Sequence, residues 1–236
     1  MKLLQTAALL GTLMAIAGCG GGSNSQPPEQ TTTPPPAIQL TQLSTDTFTN
    51  PGSQHATEVE ASAFAFGLTI VSAFQVGRIF GGGASDIGFA TSSNAGDQWI
   101  SGFLPGITIY EQGTSGAASD PVVAFDAAHA TWIISSLTIA NSDRVAVSRS
   151  SDGLVWDDPI IVSATPDADK NWITCDNISA SPYFGHCYIE WDDPSTQDLI
   201  WMSTSTDGGL TWSPASNTAD HATGIGGQPV SSLMAQ

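Results

Sequence analysis

The stretch Ser205-Thr206-Asp207-Gly208-Gly209-Leu210-Thr211-Trp212 decides the fold class of this chain, because two similar stretches precede it in the sequence. They are Ser92-Ser93-Asn94-Ala95-Gly96-Asp97-Gln98-Trp99 and Ser150-Ser151-Asp152-Gly153-Leu154-Val155-Trp156. We call these three stretches the box segments. Their final tryptophans are separated by 57 and 56 residues. A regular period in this range predicts a propeller or a similar array of repeats.

The sequence around each box segment predicts four short β-strands. In the second repeat, strand-like runs cover residues 121–125 and 131–137, and residues 145–148 lead into the box. β-Branched and aromatic residues alternate with small or polar ones, and no helical period is present. A fourth strand follows the box. Four antiparallel strands per repeat are the blades of a β-propeller, so the predicted fold is all-β.

The chemistry of the box segments predicts a structural role at a hairpin turn. The Asp or Asn oxygen can accept backbone N–H groups, glycine supplies a positive φ, and tryptophan covers the turn with an apolar face. None of these roles is catalytic. The predicted structural residues are Ser92, Asn94, Gly96, Trp99, Ser150, Asp152, Gly153, Trp156, Ser205, Asp207, Gly209 and Trp212.

The third box segment matches the Asp-box (BNR) pattern of the sialidase-like β-propeller family, which the chain resembles over roughly residues 55–236. The first box has Asn94 in place of Asp, and the second is one residue shorter. Residues 120–126, 169–173 and 226–230 resemble openings of successive blades. The resemblance implies a six-bladed ring, which needs on the order of 330 residues. We therefore expect three blades and a stub of a truncated protein; the alternative is closure by a second copy.

The resemblance also implies where a sialidase site would lie. That family binds the sugar carboxylate with three arginines and uses a Tyr–Glu nucleophile pair with an Asp acid/base. Arg78 is the one catalytic candidate, although Gly77-Arg78-Ile79-Phe80 lacks the family's preceding aromatic residue and proline. Arg144 and Arg149 are interpreted as surface residues that face neighbouring acids, and Tyr188 with Glu190 as strand packing. The chain as written is expected to be inactive.

Three functions remain open at this stage. The first is a non-catalytic surface module that binds a glycan or a protein. The alternative is a fragment of an exo-α-sialidase or related glycoside hydrolase whose catalytic blades are missing. The third is a purely structural surface repeat protein. Because a likeness of fold does not by itself give a function, a choice between them needs the geometry of a site.

The first 54 residues predict export and membrane anchoring. Lys2 precedes an apolar stretch, residues 3–16, that is too short to span a bilayer comfortably. Ile16-Ala17-Gly18-Cys19 resembles a bacterial lipobox. We therefore expect a lipoprotein signal peptide at residues 1–18, lipidation of Cys19, and a polar Pro-rich tether to residue 54. The expected location is the membrane surface, in the periplasm or outside the cell.

Charge and cysteine content narrow the possible partners. The chain has 5 Lys and Arg residues against 22 Asp and Glu residues, a formal net charge of −17, so no basic surface for nucleic acid is expected. In an oxidising compartment, Cys175 and Cys187 predict one disulfide. No metal or other cofactor is expected. Ca²⁺ remains the alternative at the acidic pairs in predicted loops, which include Asp157-Asp158, Asp176-Asn177 and Asp192-Asp193.

Overall fold

The computed structural model describes residues 40–139, 143–163 and 167–231. The signal peptide, Cys19 and most of the tether lie outside these residues. Within the described part, no helix is long and apolar enough to cross a membrane. The secondary structure there consists of twelve β-strands and two short 3₁₀ helices at Ile109–Glu111 and Pro194–Thr196.

The strands form three blades of four antiparallel strands, which confirms the predicted fold class. Blade 1 contains β1 (Glu58–Phe66), β2 (Thr69–Arg78), β3 (Ala84–Ser92) and β4 (Ile100–Phe103). Blade 2 contains β5 (Ala117–Asp126), β6 (Thr131–Ile139), β7 (Arg144–Ser150) and β8 (Ile160–Ile161). Blade 3 contains β9 (Asp169–Cys175), β10 (Cys187–Asp193), β11 (Leu199–Ser205) and β12 (Ser216–Asn217). In the described residues the sheets do not close into a ring.

The core lies between consecutive blades. Ile87 of blade 1 and Ile134 of blade 2 are fully buried in the first interface. Ile133 of blade 2 and Trp191 of blade 3 are fully buried in the second. Burying an aliphatic side chain of this size contributes roughly 1.5–3 kcal/mol. The alternation of side chains along each strand explains how one blade can supply both interfaces.

An irregular segment preceding β1, residues 41–57, covers the other face of blade 1. Leu43 and Phe48 pack against Phe74 and Val76, and the rings of Phe48 and Phe103 are 4.8 Å apart. The compact unit therefore begins at Thr41, whereas composition assigned residues up to 54 to the tether. The apolar residues of this polar stretch are too few to produce a compositional signal, but they pack on a preformed sheet.

Each box segment lies in the turn between the third and fourth strands of its blade. In blade 3, the hydroxyl of Ser205 donates to Asp207 Oδ1 at 2.8 Å and accepts from the backbone N–H of Gly209 at 2.9 Å. The indole N–H of Trp212 donates to the Gly209 carbonyl oxygen at 3.2 Å. Ser92 and Asn94 form the same bonds in blade 1, at 2.9 Å to Asn94 Oδ1 and 2.8 Å from Gly96 N–H.

The shorter second box differs at its tryptophan. Ser150 and Asp152 keep the shared pattern, with a bond of 3.0 Å between them. The indole N–H of Trp156, however, is buried without a hydrogen-bond partner. Its ring lies in the interface between blades 1 and 2, 5.8 Å from the ring of Phe89. Because this box is one residue shorter, the Trp156 indole lacks the hydrogen bond within the turn and packs in the interface between the blades.

Box segments also bind the preceding blade. The hydroxyl of Thr91, at the end of β3, donates to the carbonyl oxygen of Gly153 in the second box at 2.6 Å. At the same position of β7, Nε of Arg149 donates to the carbonyl oxygen of Gly208 at 2.6 Å. The Arg149 side chain is 16% exposed, and one of its terminal nitrogens lies 3.7 Å from Asp157 Oδ2, so it faces a neighbouring acid while it also binds the third box. A glycine is needed at 153, where φ is +75° and a Cβ would lie 2.9 Å from Val71.

The predicted disulfide is confirmed. Cys175 ends β9 and Cys187 begins β10, and the two residues are directly paired across the strands. Both sulfurs are buried in the interface with blade 2. The bridge closes the loop that joins the two strands.

Candidate functional site

The first strand of each blade carries the same irregularity. The register shifts between Val59 and Ser62 in β1, between Ser119 and Val122 in β5, and opposite β9 in blade 3. The residue at each shift is not glycine and yet has a positive φ: +55° at Glu60, +49° at Asp120 and +47° at Lys170. A bulge of this kind changes the direction in which a side chain points, and such bulges are frequent beside functional sites.

These three side chains meet because β5 packs against both β1 and β9. Lys170 Nζ lies 3.3 Å from Asp120 Oδ2. The Glu60 carboxyl accepts a hydrogen bond of 2.5 Å from Gln75 Nε2, and its neighbour Asp120 helps to raise its pKa. Gln75 Nε2 also lies 3.1 Å from the hydroxyl of Ser119, which itself donates to Asp120 Oδ1 at 2.9 Å. We call Glu60, Asp120 and Lys170 the axial triad.

The electrostatics of the triad follow from burial and mutual contact. Burial raises the pKa of the Glu60 carboxyl, and the hydrogen bond and negative charge of Asp120 raise it further. Burial alone would lower the pKa of the Lys170 ammonium, but the carboxylates of Asp120, Glu60 and Asp169 raise it overall. The triad therefore holds one carboxylate–ammonium pair and one carboxyl group that retains its proton more readily than usual.

Two cavities meet at the axial triad. The inner cavity has a volume of about 540 Å³ and is also lined by Asn171, Trp172 and Gln228. The loop cavity has a volume of about 490 Å³ and is also lined by Arg78 and by Gly81, Gly82 and Gly83 of the β2–β3 turn. Both volumes fall within the range of small-molecule sites.

A fourth segment reaches the inner cavity. Residues 226–231 form no strand, although the sequence predicted the opening of a fourth blade there. The backbone N–H of Gly226 donates to Asp192 Oδ1 at 3.3 Å, and this bond fixes the segment against β10. Gln228 of this segment lines the same cavity as the triad.

Asn171 contributes an acceptor without a donor. Its side-chain N–H group donates to the Asp120 carbonyl oxygen at 2.9 Å, which fixes the orientation of the amide. The residue is 3% exposed and its Oδ1 atom has no partner. A buried, unpaired polar atom is costly, and few occur in native structures. Asn171 lines the inner cavity, but its Oδ1 atom is itself buried.

The arginines predicted from the sequence do not meet. Arg78 ends β2 and lines the loop cavity. Its charge offsets part of the rise that burial and Asp120 cause in the pKa of Glu60. Arg149 lies beside the third box and lines neither cavity. Arg144 begins β7 and is exposed. Among the described residues, the set of three arginines around one sugar carboxylate is therefore not assembled.

Tyr188 and Glu190 lie on β10, outside both cavities. Glu190 is buried against Gly227, and neither of its side-chain oxygens has a hydrogen-bond partner. Burial, followed by the charge of Asp192, raises its pKa to about 7. The Glu190 carboxyl therefore lies between β10 and the segment at Gly227. Such a position is that of a packing residue, which is how Tyr188 and Glu190 were interpreted from the sequence.

Acidic residues of the loops serve as turn caps. Asp176 accepts from the hydroxyl of Ser181 at 2.6 Å, and Asp193 accepts from the N–H of Ser195 at 2.9 Å. Within the described part of the chain, no group of three or more His, Cys, Asp or Glu side chains could hold a metal ion. The Ca²⁺ alternative thus gains no support from these residues.

The chemistry of the triad suits binding. Asp120 is paired with the Lys170 ammonium at 3.3 Å, and Glu60 accepts a hydrogen bond of 2.5 Å from Gln75 Nε2. Their remaining oxygens, together with Lys170 and Gln228, can exchange hydrogen bonds with hydroxyl groups.

The axial triad, Asn171, Trp172 and Gln228 were not predicted from the sequence as site residues. One signal was present: Asp120-Pro121, Lys170-Asn171 and Gln228-Pro229 stand at corresponding positions of successive repeats. An alignment of these openings would have placed one polar side chain per blade at the same point. The bulges that turn these side chains towards each other leave no comparable pattern in the sequence.

Solved structures share this fold. The Hadza microbial sialidase Hz136 superposes with a TM-score of 0.51 and 17% identity, over 66% of this chain and 36% of that one. An N-acetylgalactosamine deacetylase from F. plautii, solved with blood group B trisaccharide, superposes with a TM-score of 0.54 and 14% identity, over 75% of this chain and 57% of that one. The chain thus spans well under two thirds of either structure. No protein-family model and no curated protein matches the sequence.

The fold is accordingly that of sialidase-like β-propellers, and the described part of this chain contains three of its blades. At such low identity, the likeness concerns the fold.

Proposed function

We propose that this chain is a non-catalytic glycan-binding propeller module and that the inner cavity holds the sugar. The observation that carries the proposal is the convergence of Glu60, Asp120, Lys170 and Gln228 from consecutive repeats around a cavity of about 540 Å³. Sugar hydroxyls both donate and accept hydrogen bonds, and this mixture of side chains does the same. Trp172 adds an aromatic wall on which the apolar face of a sugar ring can pack.

The absence of catalysis is part of the proposal. It is supported by the separation of Arg78 from Arg149 and by the pairing of Asp120 with Lys170 at 3.3 Å. The alternative function, a portion of an exo-α-sialidase, rests on the fold that the chain shares with a sialidase. Hydrolysis of a fluorogenic sialoside by the full-length protein, lost in Arg78→Ala, would favour that alternative.

The module is proposed to act at a membrane surface. Lipidation of Cys19 would provide two acyl chains, which suffice for stable anchoring. Labelled palmitate should be incorporated by the wild-type chain in a bacterial host and not by Cys19→Ser. Equal labelling of both proteins would remove the anchor from the proposal.

A glycan array probed with the fluorescently labelled full chain tests the proposed function. We expect binding to a restricted set of glycans, and at least a tenfold weaker signal for Asp120→Asn and Gln228→Ala. Gln228 is exposed, so its truncation should leave the fold intact. Asp97→Asn, which changes an exposed carboxylate in the first box, is the matched control and should bind as the wild type does. Unchanged binding by both site variants would contradict the proposal.

A further inference from the structure

The segment that follows blade 3, residues 226–231, is held to that blade by weak contacts, and we call it the strap. It forms no strand, and its Val230 side chain is 85% exposed. The backbone N–H of Gly226 donates to Asp192 Oδ1 at 3.3 Å, a long distance for such a bond. Segments that bury little apolar surface open locally at a small cost in free energy. A change of charge beneath the strap can therefore decide whether it stays in place.

The carboxyl group of Glu190 lies directly beneath the strap. A Cβ atom at Gly227 would lie 2.7 Å from Glu190 Oε2, so glycine allows the strap backbone to rest on this carboxyl. Glu190 is 4% exposed, and neither of its side-chain oxygens has a hydrogen-bond partner. A buried carboxyl without a partner is tolerated as the neutral acid, whereas its charged form costs far more free energy. The docked strap therefore favours the protonated state of Glu190.

This carboxyl replaces a small side chain of the first two blades. Glu190 is paired with Met202, which lies three residues before Ser205 of the third box. At the same register of blades 1 and 2, the residues are Ala73 and Ser135. Packing at this position therefore requires no ionisable group. Glu190 makes the contact between blade 3 and the strap dependent on pH.

The charges around Glu190 oppose its ionisation. Burial, followed by the negative charge of Asp192 two residues along the same face of β10, raises the pKa of Glu190 to about 7. The ionisable side chains on β10, on the strands paired with it and next to them are Tyr188, Asp192, Asp193, Asp169, Lys170 and Asp198. The cation among them, Lys170, is already paired with Asp120 at 3.3 Å. An ionised Glu190 would thus face acidic neighbours beneath a strap that has no ionisable side chain.

We propose that the strap is a pH-dependent cover of the inner cavity, docked while Glu190 holds its proton and released when Glu190 loses it. This inference rests on the proposed function and adds the regulation of its site. Gly226, Gly227 and Gln228 of the strap line the inner cavity. Release of the strap therefore removes one wall of that cavity, together with a side chain that is proposed to bind the sugar.

The direction of the pH effect follows from the two states of the strap. With the strap released, Glu190 regains water and its ordinary pKa of 4.5, whereas the docked strap holds this pKa at about 7. The docked state binds the proton more tightly, so docking is strongest below about pH 4.5 and weakens until about pH 7. From pH 5 to pH 8 the docking equilibrium should fall on the order of a hundredfold, because each unit of pKa difference corresponds to a factor of ten.

Nuclear magnetic resonance of the full chain, labelled with carbon-13 at the glycine Cα atoms and kept in mild detergent, tests the strap directly. We expect the signals of Gly226 and Gly227 to move towards the positions of unstructured glycine between pH 5 and pH 8. In Glu190→Gln and Glu190→Ala, which cannot ionise, these signals should stay in place. Glu190→Ala provides the side chain that Ala73 has in blade 1, so it serves as the second test if the buried amide of the first variant displaces the strap. Glu58→Gln changes an exposed carboxyl of β1 outside the inner cavity and should behave as the wild type does.

The glycan array, repeated at pH 5 and pH 8, tests whether the strap controls the site. Binding by the wild type and by Glu58→Gln should be at least tenfold weaker at pH 8, because the released strap no longer supplies Gln228. Glu190→Ala should lose most of this difference between the two pH values.

The outcomes distinguish this inference from the proposed function. If the strap signals of the wild type stay in place, or move equally in both Glu190 variants, the inference is wrong, and binding on the array leaves the glycan-binding function standing. The inference is also wrong if the strap signals move while the array gives the same binding at pH 5 and pH 8. If no glycan of the array binds at either pH, the proposed function and its regulation by the strap are both wrong.

Discussion

At the scale of single residues, Asp86 is a buried carboxyl in the middle of β3. Its Oδ1 atom accepts the N–H of Ile87 at 2.7 Å, and its Oδ2 atom has no partner. Burial raises its pKa from 3.8 to about 8. The folded state therefore binds this proton more tightly than the unfolded state. Its contribution to stability is fully present below about pH 4 and is lost as the pH rises to about 8.

Asp86→Asn should flatten this pH dependence. The wild type should lose stability between pH 5 and pH 8, whereas the variant, which cannot ionise, should be on the order of 1–3 kcal/mol more stable than the wild type at pH 8. Urea unfolding at the two pH values measures the difference. Asp97→Asn controls for the general loss of a negative charge. Parallel pH profiles for Asp86→Asn and the wild type would show that burial of this carboxyl does not matter.

A second residue-scale prediction concerns the bond between blades 1 and 2. Thr91→Val keeps the β-branched shape but leaves the Gly153 carbonyl oxygen without its donor, so it should lower the free energy of unfolding by about 1–3 kcal/mol. Thr204→Val is the matched control. Thr204 has the same position in blade 3, where no fourth box follows among the described residues, and the change should be nearly neutral. Equal effects of both changes in thermal unfolding would argue against a bond between blades.

At the scale of elements, the disulfide joins β9 to β10 across 12 residues of chain. The double variant Cys175→Ser, Cys187→Ser should lower the free energy of unfolding by roughly 3 kcal/mol, because its unfolded chain is less constrained. Reduction of the wild type should produce the same loss in a urea titration, and reduction of the variant should change nothing. A wild type that is equally stable with and without reductant would contradict a structural role.

The elements show what the sequence could predict. The box hairpins were predictable because Ser205, Asp207 and Gly209 satisfy their own turn, so the information is local. The partners of a box in the preceding blade were not, because Arg149 and Gly208 are 59 residues apart. The bulge at Lys170 depends in the same way on how β9 pairs with β10, and the triad was missed for that reason.

At the scale of the whole molecule, the site forms where equivalent positions of consecutive repeats meet. Each blade supplies one member of the axial triad, at the bulge of its first strand, and the cavity exists where consecutive blades bring Glu60, Asp120 and Lys170 together. Segments outside the blades complete the arrangement: residues 41–57 cover blade 1, and residues 226–228 lie against blade 3 and line the cavity. The box segments, which define the fold, lie away from this site. Their hydrogen bonds hold together the blades whose residues line it.

A crystal structure of the full chain with its best glycan from the array tests the central claim most directly. The account predicts electron density for a sugar in the inner cavity, in contact with Asp120 and Gln228. Density for the sugar on another surface, with the inner cavity holding only water, would contradict it.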